Sequence, residues 1–120
     1  HAKLMAKYSL DLGAIKAKKI LVFNTDVVHQ LKANDGSPFP IRLKQARTRV
    51  GLSQKQLGIQ AGMDNFVASA RMNQYERGVH TPDFKTVLSL SAVLNVPTAF
   101  LFCVEDDLAE AILEFHQNLI

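Results

Sequence analysis

Between Pro40 and Pro97 the sequence alternates residues that start a helix with residues that end one. Proline suits the first turn of a helix, where its missing N–H needs no partner, and glycine readily adopts the left-handed backbone that follows a helix. Pro40 and Gly51 enclose one helical pattern of apolar and charged residues, and Pro82 and Asn95 enclose another. This alternation predicts an all-α domain made of short helices.

Six helices are expected along the chain. They run from Pro40 to Gly51, from Ser53 to Gly62, from Asp64 or Ser69 to Gly78, from Thr81 to Asn95, from Ala99 to Cys103 with Thr98 as the cap, and from Asp106 or Asp107 through Leu119. The first is expected to bury Ile41, Leu43, Ala46 and Val50 and to expose Arg42, Lys44, Arg47 and Arg49. The fourth carries apolar positions at helical spacing, namely Phe84, Val87, Leu88, Ser91 and Leu94.

The second and third helices are predicted to form a helix-turn-helix. Ser53 with Gln56 three positions later matches a capping box, which fixes where the second helix begins. Gly62 supplies a left-handed turn, and the small residue Ala61 is expected to let the third helix approach. Three apolar residues are expected to hold the angle between the helices: Leu57, Met72 and Tyr75. This motif places its second helix in the DNA major groove, although helix pairs joined by glycine also occur in proteins that bind no DNA.

The two halves of the chain differ in charge. Residues 1–60 hold 11 Lys+Arg and 3 Asp, whereas residues 61–120 hold 3 Lys+Arg and 8 Asp+Glu. A basic first half indicates an anionic partner such as nucleic acid, and the alternative is an ordinary solvated surface. The acidic residues from Glu105 to Glu114 are expected to form a solvated helix face.

The residue pattern does not indicate catalysis, metal binding or cofactor binding. Cys103 is the single cysteine, and the four histidines, which are His1, His29, His80 and His116, lack metal-ligand spacing. No phosphate loop, nucleophile motif or pair of catalytic carboxylates occurs. No membrane-spanning apolar run or secretory leader is found either, so a soluble cytoplasmic protein without cofactors is expected.

Turn-forming residues from Asn34 to Pro38 divide the chain. We expect three parts: an N-terminal extension over residues 1–36, a helix-turn-helix domain over 37–104, and a C-terminal amphipathic helix over 105–120. The extension begins with HAKL, which is interpreted as a cloning remnant ahead of Met5. Its apolar run Ile20–Phe23 is compatible with a strand, and its cluster of Lys16, Lys18 and Lys19 with a basic arm.

The stretch from Pro40 to Phe102 resembles the phage-repressor family of XRE type. The resemblance is carried by IRLKQARTRVGLSQKQLGIQAGM and MNQYERGVHTPDFKTVLSLSAVLNVPTAFLF, in which LSQ, the Ala61-Gly62 pair and YERG are the most distinctive elements. It implies a lambda-repressor-like bundle of five helices, here with an additional C-terminal helix. It also implies binding of a palindromic operator in double-stranded DNA by a homodimer.

The resemblance also nominates contact residues. Base contacts are expected from residues at the start of the second helix and on the third, or recognition, helix: Gln54, Ser69, Ala70, Arg71, Asn73 and Gln74. Phosphate contacts are expected from Arg42, Lys44, Arg47, Ser53, Lys55 and Arg77. The chemistry agrees, because Asn and Gln amides pair with adenine while Arg pairs with guanine or phosphate. Glu76 is interpreted as a structural residue that bonds within the bundle.

The chain departs from the family between Gly62 and Glu76, which are fourteen positions apart. Family members usually have a spacing of about ten positions here, so about four residues within 64–68 form an insert. The insert either lengthens the recognition helix backwards or forms a loop. Phe66 lies in it and is expected to be an added core residue, with a wedge between DNA bases as the alternative.

The last helix is a candidate dimer interface. Its apolar positions recur at three- and four-residue intervals and are Leu108, Ile112, Phe115 and Leu119. Such a stripe packs either on its own domain or on a second copy, and the N-terminal segment is another candidate interface. The sequence therefore predicts a DNA-binding transcriptional regulator, and the alternative is a protein-interaction module, such as an antitoxin partner, on the same fold.

Overall fold

The computed structural model describes residues 36–119, so the expectations for Ile20–Phe23, the lysine cluster and the rest of the N-terminal extension lie outside the described residues. The chain divides into two compact units. One unit is Pro38–Cys103, and the other includes the residues from Val104 onward. Each unit is described by itself.

Five helices form the unit Pro38–Cys103. They are α1 (Phe39–Arg49), α2 (Gln54–Gln60), α3 (Ala68–Glu76), α4 (Phe84–Leu94) and α5 (Thr98–Leu101). The described residues contain no strand, so the predicted all-α class is confirmed for this part of the chain. The expected helix order is confirmed as well, with bounds that differ by a few residues.

The core of this unit forms where the five helices meet. The α2 helix packs most extensively on α3, α1 packs on α3, and α5 contacts both α1 and α4. The largest fully buried side chains come from all five helices and are Leu43, Leu57, Met72, Leu90, Leu94 and Leu101. Their burial is the main source of stability for so small a bundle.

The buried face of α1 is rotated relative to the prediction. Arg42 is only 3% exposed, whereas Ile41 and Val50 lie at the surface. The Arg42 Nε donates a hydrogen bond to the Cys103 carbonyl at 2.8 Å, and its guanidinium carbon lies 5.7 Å from the centre of the Phe100 ring. The expectation that Arg42 faces solvent was wrong, because hydrogen bonds to the Cys103 carbonyl and the Gln45 side chain offset part of the cost of burying its charge.

The start and buried face of α4 also differ from the prediction. Asp83 caps the helix, accepting a hydrogen bond from the Thr86 N–H at 2.9 Å. Val87, Leu90, Ser91 and Leu94 are buried, while the expected Phe84 and Leu88 are exposed. Leu90 therefore replaces them in the core.

The α5 helix begins at Thr98 itself, after the extended residue Pro97, and has no side-chain cap. The expectation that Thr98 caps a helix from Ala99 to Cys103 was therefore wrong by one position at the start. The helix ends at Leu101, and its Phe100 and Leu101 are buried.

In the second unit, α6 spans Asp106–Asn118 and follows Glu105. Ala109 and Leu113 are its buried residues. The predicted apolar stripe is displaced from them: Leu108, Phe115 and Leu119 are exposed, and Ile112 is half-buried. Asp106 and Asp107 occupy the first turn, where their charge is favourable toward the helix dipole.

Candidate DNA interface

The capping box at the start of α2 is present as predicted. The Ser53 hydroxyl accepts a hydrogen bond from the Gln56 N–H at 3.0 Å, and the Gln56 side chain accepts one from the Ser53 N–H at 2.8 Å. Two N–H groups that lack partners within the helix are thereby satisfied. The cap fixes Gln54 as the first residue of α2.

The turn after α2 is built around Gly62, whose φ is +98°. The Gly62 N–H donates to the Ile59 carbonyl at 3.0 Å and the Met63 N–H donates to the Gly58 carbonyl at 2.9 Å. This pair of bonds is the Schellman arrangement, which requires a left-handed residue between helix and turn. The role predicted for Gly62 is therefore confirmed.

The α2 and α3 helices approach each other closely at Gly58. A Cβ placed on Gly58 would lie 2.8 Å from the Ala68 Cβ and 3.1 Å from the Ala68 carbonyl oxygen. Gly58 and Ala68 are both buried, whereas Ala61 is half-buried. The role of Gly58 was not predicted, because a glycine inside a helical pattern does not indicate which neighbour it faces.

The insert before α3 forms an ordered turn. The Asp64 carboxylate accepts from the Phe66 N–H at 2.8 Å, and the Asp64 carbonyl accepts from the N–H groups of Val67 and Ala68 at 3.1 and 3.0 Å. Asp64 thus closes a turn ahead of the helix, and Ser69 lies inside α3 without capping it. The added-core expectation for Phe66 was wrong, because its side chain is 93% exposed.

A polar network connects α1, α2 and α3. The Arg47 guanidinium pairs with both Glu76 oxygens, at 2.5 Å from Nε and 3.0 Å from Nη2, and its Nη1 donates to the Leu52 carbonyl at 2.9 Å. The hydrogen bond with Glu76 raises the pKa of Arg47 above its ordinary value. Glu76 is therefore structural, as interpreted from the sequence, and it holds the end of α3 against α1.

Gln54 extends this network. Its Nε2 donates to the Glu76 Oε1 at 3.2 Å and to the Asn73 Oδ1 at 3.4 Å, so the Gln54 amide is held by Glu76 and itself contacts the Asn73 amide. Amides held in this way are oriented before any ligand arrives, which lowers the ordering cost of binding. Gln54 and Asn73 are half-buried, and each has part of its hydrogen-bonding capacity committed within the chain.

The remaining predicted contact residues lie at the surface. The exposed base-contact candidates are Ser69, Ala70, Arg71 and Gln74, and the exposed phosphate-contact candidates are Lys44, Ser53, Lys55 and Arg77. Arg42 is buried in the core, so the structure does not fit its predicted contact with phosphate. Arg47 has its guanidinium committed to Glu76 and Leu52, which makes it a positioning residue for α3.

Exposed cations concentrate on this unit's first three helices. Residues 38–80 hold seven Lys+Arg and two acidic residues, and the Glu76 carboxylate is paired with Arg47. Five of these cations are exposed, and they are Lys44, Arg49, Lys55, Arg71 and Arg77. Within residues 36–119, no group of three His, Cys, Asp or Glu side chains is placed to hold a metal ion. The surface therefore offers positive charge and amide groups, which suit phosphates and base edges.

Comparison with known proteins agrees with this geometry. A family described as helix-turn-helix matches residues 43–101. A solved structure of the transcriptional regulator BswR has 55% sequence identity and a TM-score of 0.61, covering 68% of this chain and 87% of that chain.

Two curated bacterial proteins are also similar. An HTH-type transcriptional regulator of Sinorhizobium medicae is 31% identical over 58% of this chain and 51% of its own length. The HTH-type regulator ImmR of Bacillus subtilis is 37% identical over 50% of this chain and 44% of its own length. The chain thus spans about half the length of these curated relatives.

All of these relatives are named as transcriptional regulators and not as enzymes, which agrees with the expectation of a non-catalytic chain. The family match begins within α1 at Leu43 and runs to the end of α5, and the glycine turn and the Arg47–Glu76 pair fall within it. The chain belongs to the XRE-type helix-turn-helix family.

Proposed function

We propose that the protein is a sequence-specific DNA-binding transcriptional regulator that represses by occupying a palindromic operator as a homodimer. The observation that carries this proposal is the surface of α3 together with the start of α2. Buried Ala68, Met72 and Tyr75 fix α3 to the bundle, and the polar groups on its other side remain exposed. Such an arrangement presents a recognition helix to the major groove.

The exposed groups divide into two kinds of contact. Gln74 and Arg71 present side chains that can bond to base edges, and Lys44, Lys55 and Arg77 present charges that suit phosphates. Gln54 supports this surface through its hydrogen bonds to Glu76 and Asn73. Specificity then comes from α3, and affinity from the surrounding cations.

The homodimer follows from the small size of one recognition surface. A single recognition helix reads few base pairs, whereas two copies related by a two-fold axis read both halves of an inverted repeat. The exposed apolar side chains of α6, which are Leu108, Phe115 and Leu119, support α6 as the contact between copies. We place the protein in the cytoplasm, where an operator is accessible.

Selection of bound sequences from a random duplex pool tests this proposal. The purified chain is used at low and at moderate salt, and an inverted repeat is expected whose affinity falls steeply as salt rises. Recovery of no common motif, with weak binding at either salt, would contradict the proposal. That outcome would favour the protein-interaction module. Such a module is expected to bind a partner protein with an affinity that changes little with salt.

A further inference from the structure

Phe66 is the most exposed large apolar side chain among residues 36–119. Burying a phenylalanine stabilises a fold by about 1.5–3 kcal/mol relative to leaving it in water, so this ring contributes almost nothing to the bundle. Isolated surface apolar residues are ordinary in proteins. The position of Phe66, however, is one residue before Val67, where the turn leads directly into α3.

The backbone is held in place both before and after Phe66. Asp64 accepts three N–H groups across the turn, including that of Phe66 itself. Two residues later, Ala68 is locked against Gly58 of α2. The ring therefore projects from a turn anchored to the helix-turn-helix, and its placement follows that of α3.

We infer that Phe66 contacts the C5-methyl group of a thymine in the major groove and so sets part of the sequence preference. This inference rests on the proposed function. The N-terminal end of a recognition helix is the end that meets base edges, and Phe66 extends that end by an apolar group. Thymine is the base that presents a methyl group in the major groove, and apolar side chains recognise it there.

The charge around Phe66 is compatible with a nucleic acid occupant. Asp64 is the one acidic residue between Gly62 and Glu76, and one of its carboxylate oxygens accepts the Phe66 N–H within the turn. Arg71 and Gln74 are exposed on the helix that follows. The apolar ring thus lies at the N-terminal end of the helix that carries these polar groups, so double-stranded DNA is the occupant we assign to it.

Binding to methyl-deleted DNA tests this assignment. Each thymine of the selected site is replaced in turn by deoxyuridine, which lacks only the C5-methyl group, and affinities are measured by fluorescence anisotropy. We expect the wild type to lose about fourfold in affinity at one thymine in each half-site, as for loss of one buried methyl group. Phe66→Ala is expected to bind the thymine site about tenfold more weakly and to show no further loss with uridine at that position.

Two variants serve as controls. Phe84→Ala removes an exposed ring of the same type at the start of α4 and is expected to keep wild-type affinity and wild-type sensitivity to uridine. Phe66→Leu keeps an apolar group and is expected to retain part of the thymine preference. Since Phe66 is exposed, the melting temperature of each Phe66 variant is expected to equal that of the wild type.

The inference is overturned if Phe66→Ala binds the site as tightly as the wild type does, or if it stays equally sensitive to uridine at every position. It is also overturned if the variant changes the oligomeric state in sedimentation, which would assign the ring to a protein contact. A wild type that prefers no sequence overturns the proposed function and this inference together, whereas a sequence-selective wild type with an unaffected Phe66→Ala overturns the inference alone.

Discussion

Helices α3 and α6 bury similar small sets of residues and expose opposite chemistry. The α3 helix buries Ala68, Met72 and Tyr75 and exposes polar and basic groups, whereas α6 buries Ala109 and Leu113 and exposes acidic groups and large apolar side chains. Residues 104–119 hold five acidic residues and no Lys or Arg. Burial sets the position of each helix, and the chemistry of its exposed side sets the kind of partner it can meet.

The largest expected effect concerns the contact that fixes α3. Gly58→Leu places a branched side chain where even a Cβ would lie 2.8 Å from Ala68. We expect the free energy of unfolding, measured with urea, to fall by about 3 kcal/mol. Gln60→Leu on the exposed side of α2 is the control and is expected to stay within about 0.5 kcal/mol of wild type. Equal stability of the two variants would contradict the close packing of α2 on α3.

A smaller effect is expected at the polar network. Glu76→Gln removes the charge that pairs with Arg47, whose side chain is 14% exposed, and leaves the guanidinium without its carboxylate. We expect a loss of about 2 kcal/mol in unfolding free energy, because the bond involves two charged groups. Glu110→Gln, on the exposed side of α6, is the control and should change stability little. A Glu76→Gln variant as stable as its control would show that the network does not hold α3.

Local features of the fold could be predicted from the sequence, whereas contacts between distant residues could not. The cap at Ser53 and the turn at Gly62, which begin and end α2, were predictable because each depends on hydrogen bonds between residues a few positions apart. The burial of Arg42, the exposure of Phe66 and the Gly58–Ala68 contact were not, because each depends on a neighbour distant in the chain or on the direction of a turn.

The predicted DNA-contact residues show the same contrast between local features and long-range contacts. The sequence located the helices that bear these residues, but four of the predicted contacts have side chains engaged in long-range bonds within the chain. These are Arg42, Arg47, Gln54 and Asn73. Pairing of Arg47 with Glu76 joins α1 to α3, and residue pattern alone does not specify which charges meet across a bundle.

A third prediction concerns the exposed apolar side chains of α6, which we propose as the contact between copies, whereas α3 is proposed to contact DNA. Leu108→Ser is expected to weaken the proposed dimer about tenfold in sedimentation equilibrium. The variant loses the apolar surface that the leucine would bury between the two copies. Leu88→Ser is a matched control, since Leu88 of α4 is 46% exposed and Leu108 is 45% exposed. An unchanged dimer in Leu108→Ser, or an equal loss in both variants, would remove α6 as the interface.

The smallest expected effect is that of one surface charge. Lys44→Ala is expected to weaken binding to specific and random DNA alike and to reduce the slope of log affinity against log salt by about one. Lys85→Ala, at an exposed position of α4, should leave the slope unchanged. A Lys44→Ala slope identical to that of the wild type would reject its phosphate contact.

The most direct test of the α3 surface is the effect of Gln74→Ala on two duplexes, the selected site and a scrambled version of it. Gln74 is exposed on α3, and Gln117→Ala removes an exposed amide from α6 as the control. If Gln74 reads a base, its loss weakens binding to the selected site by about 1–3 kcal/mol and leaves binding to the scrambled duplex unchanged. An equal loss on both duplexes, or none on either, would contradict base reading by α3.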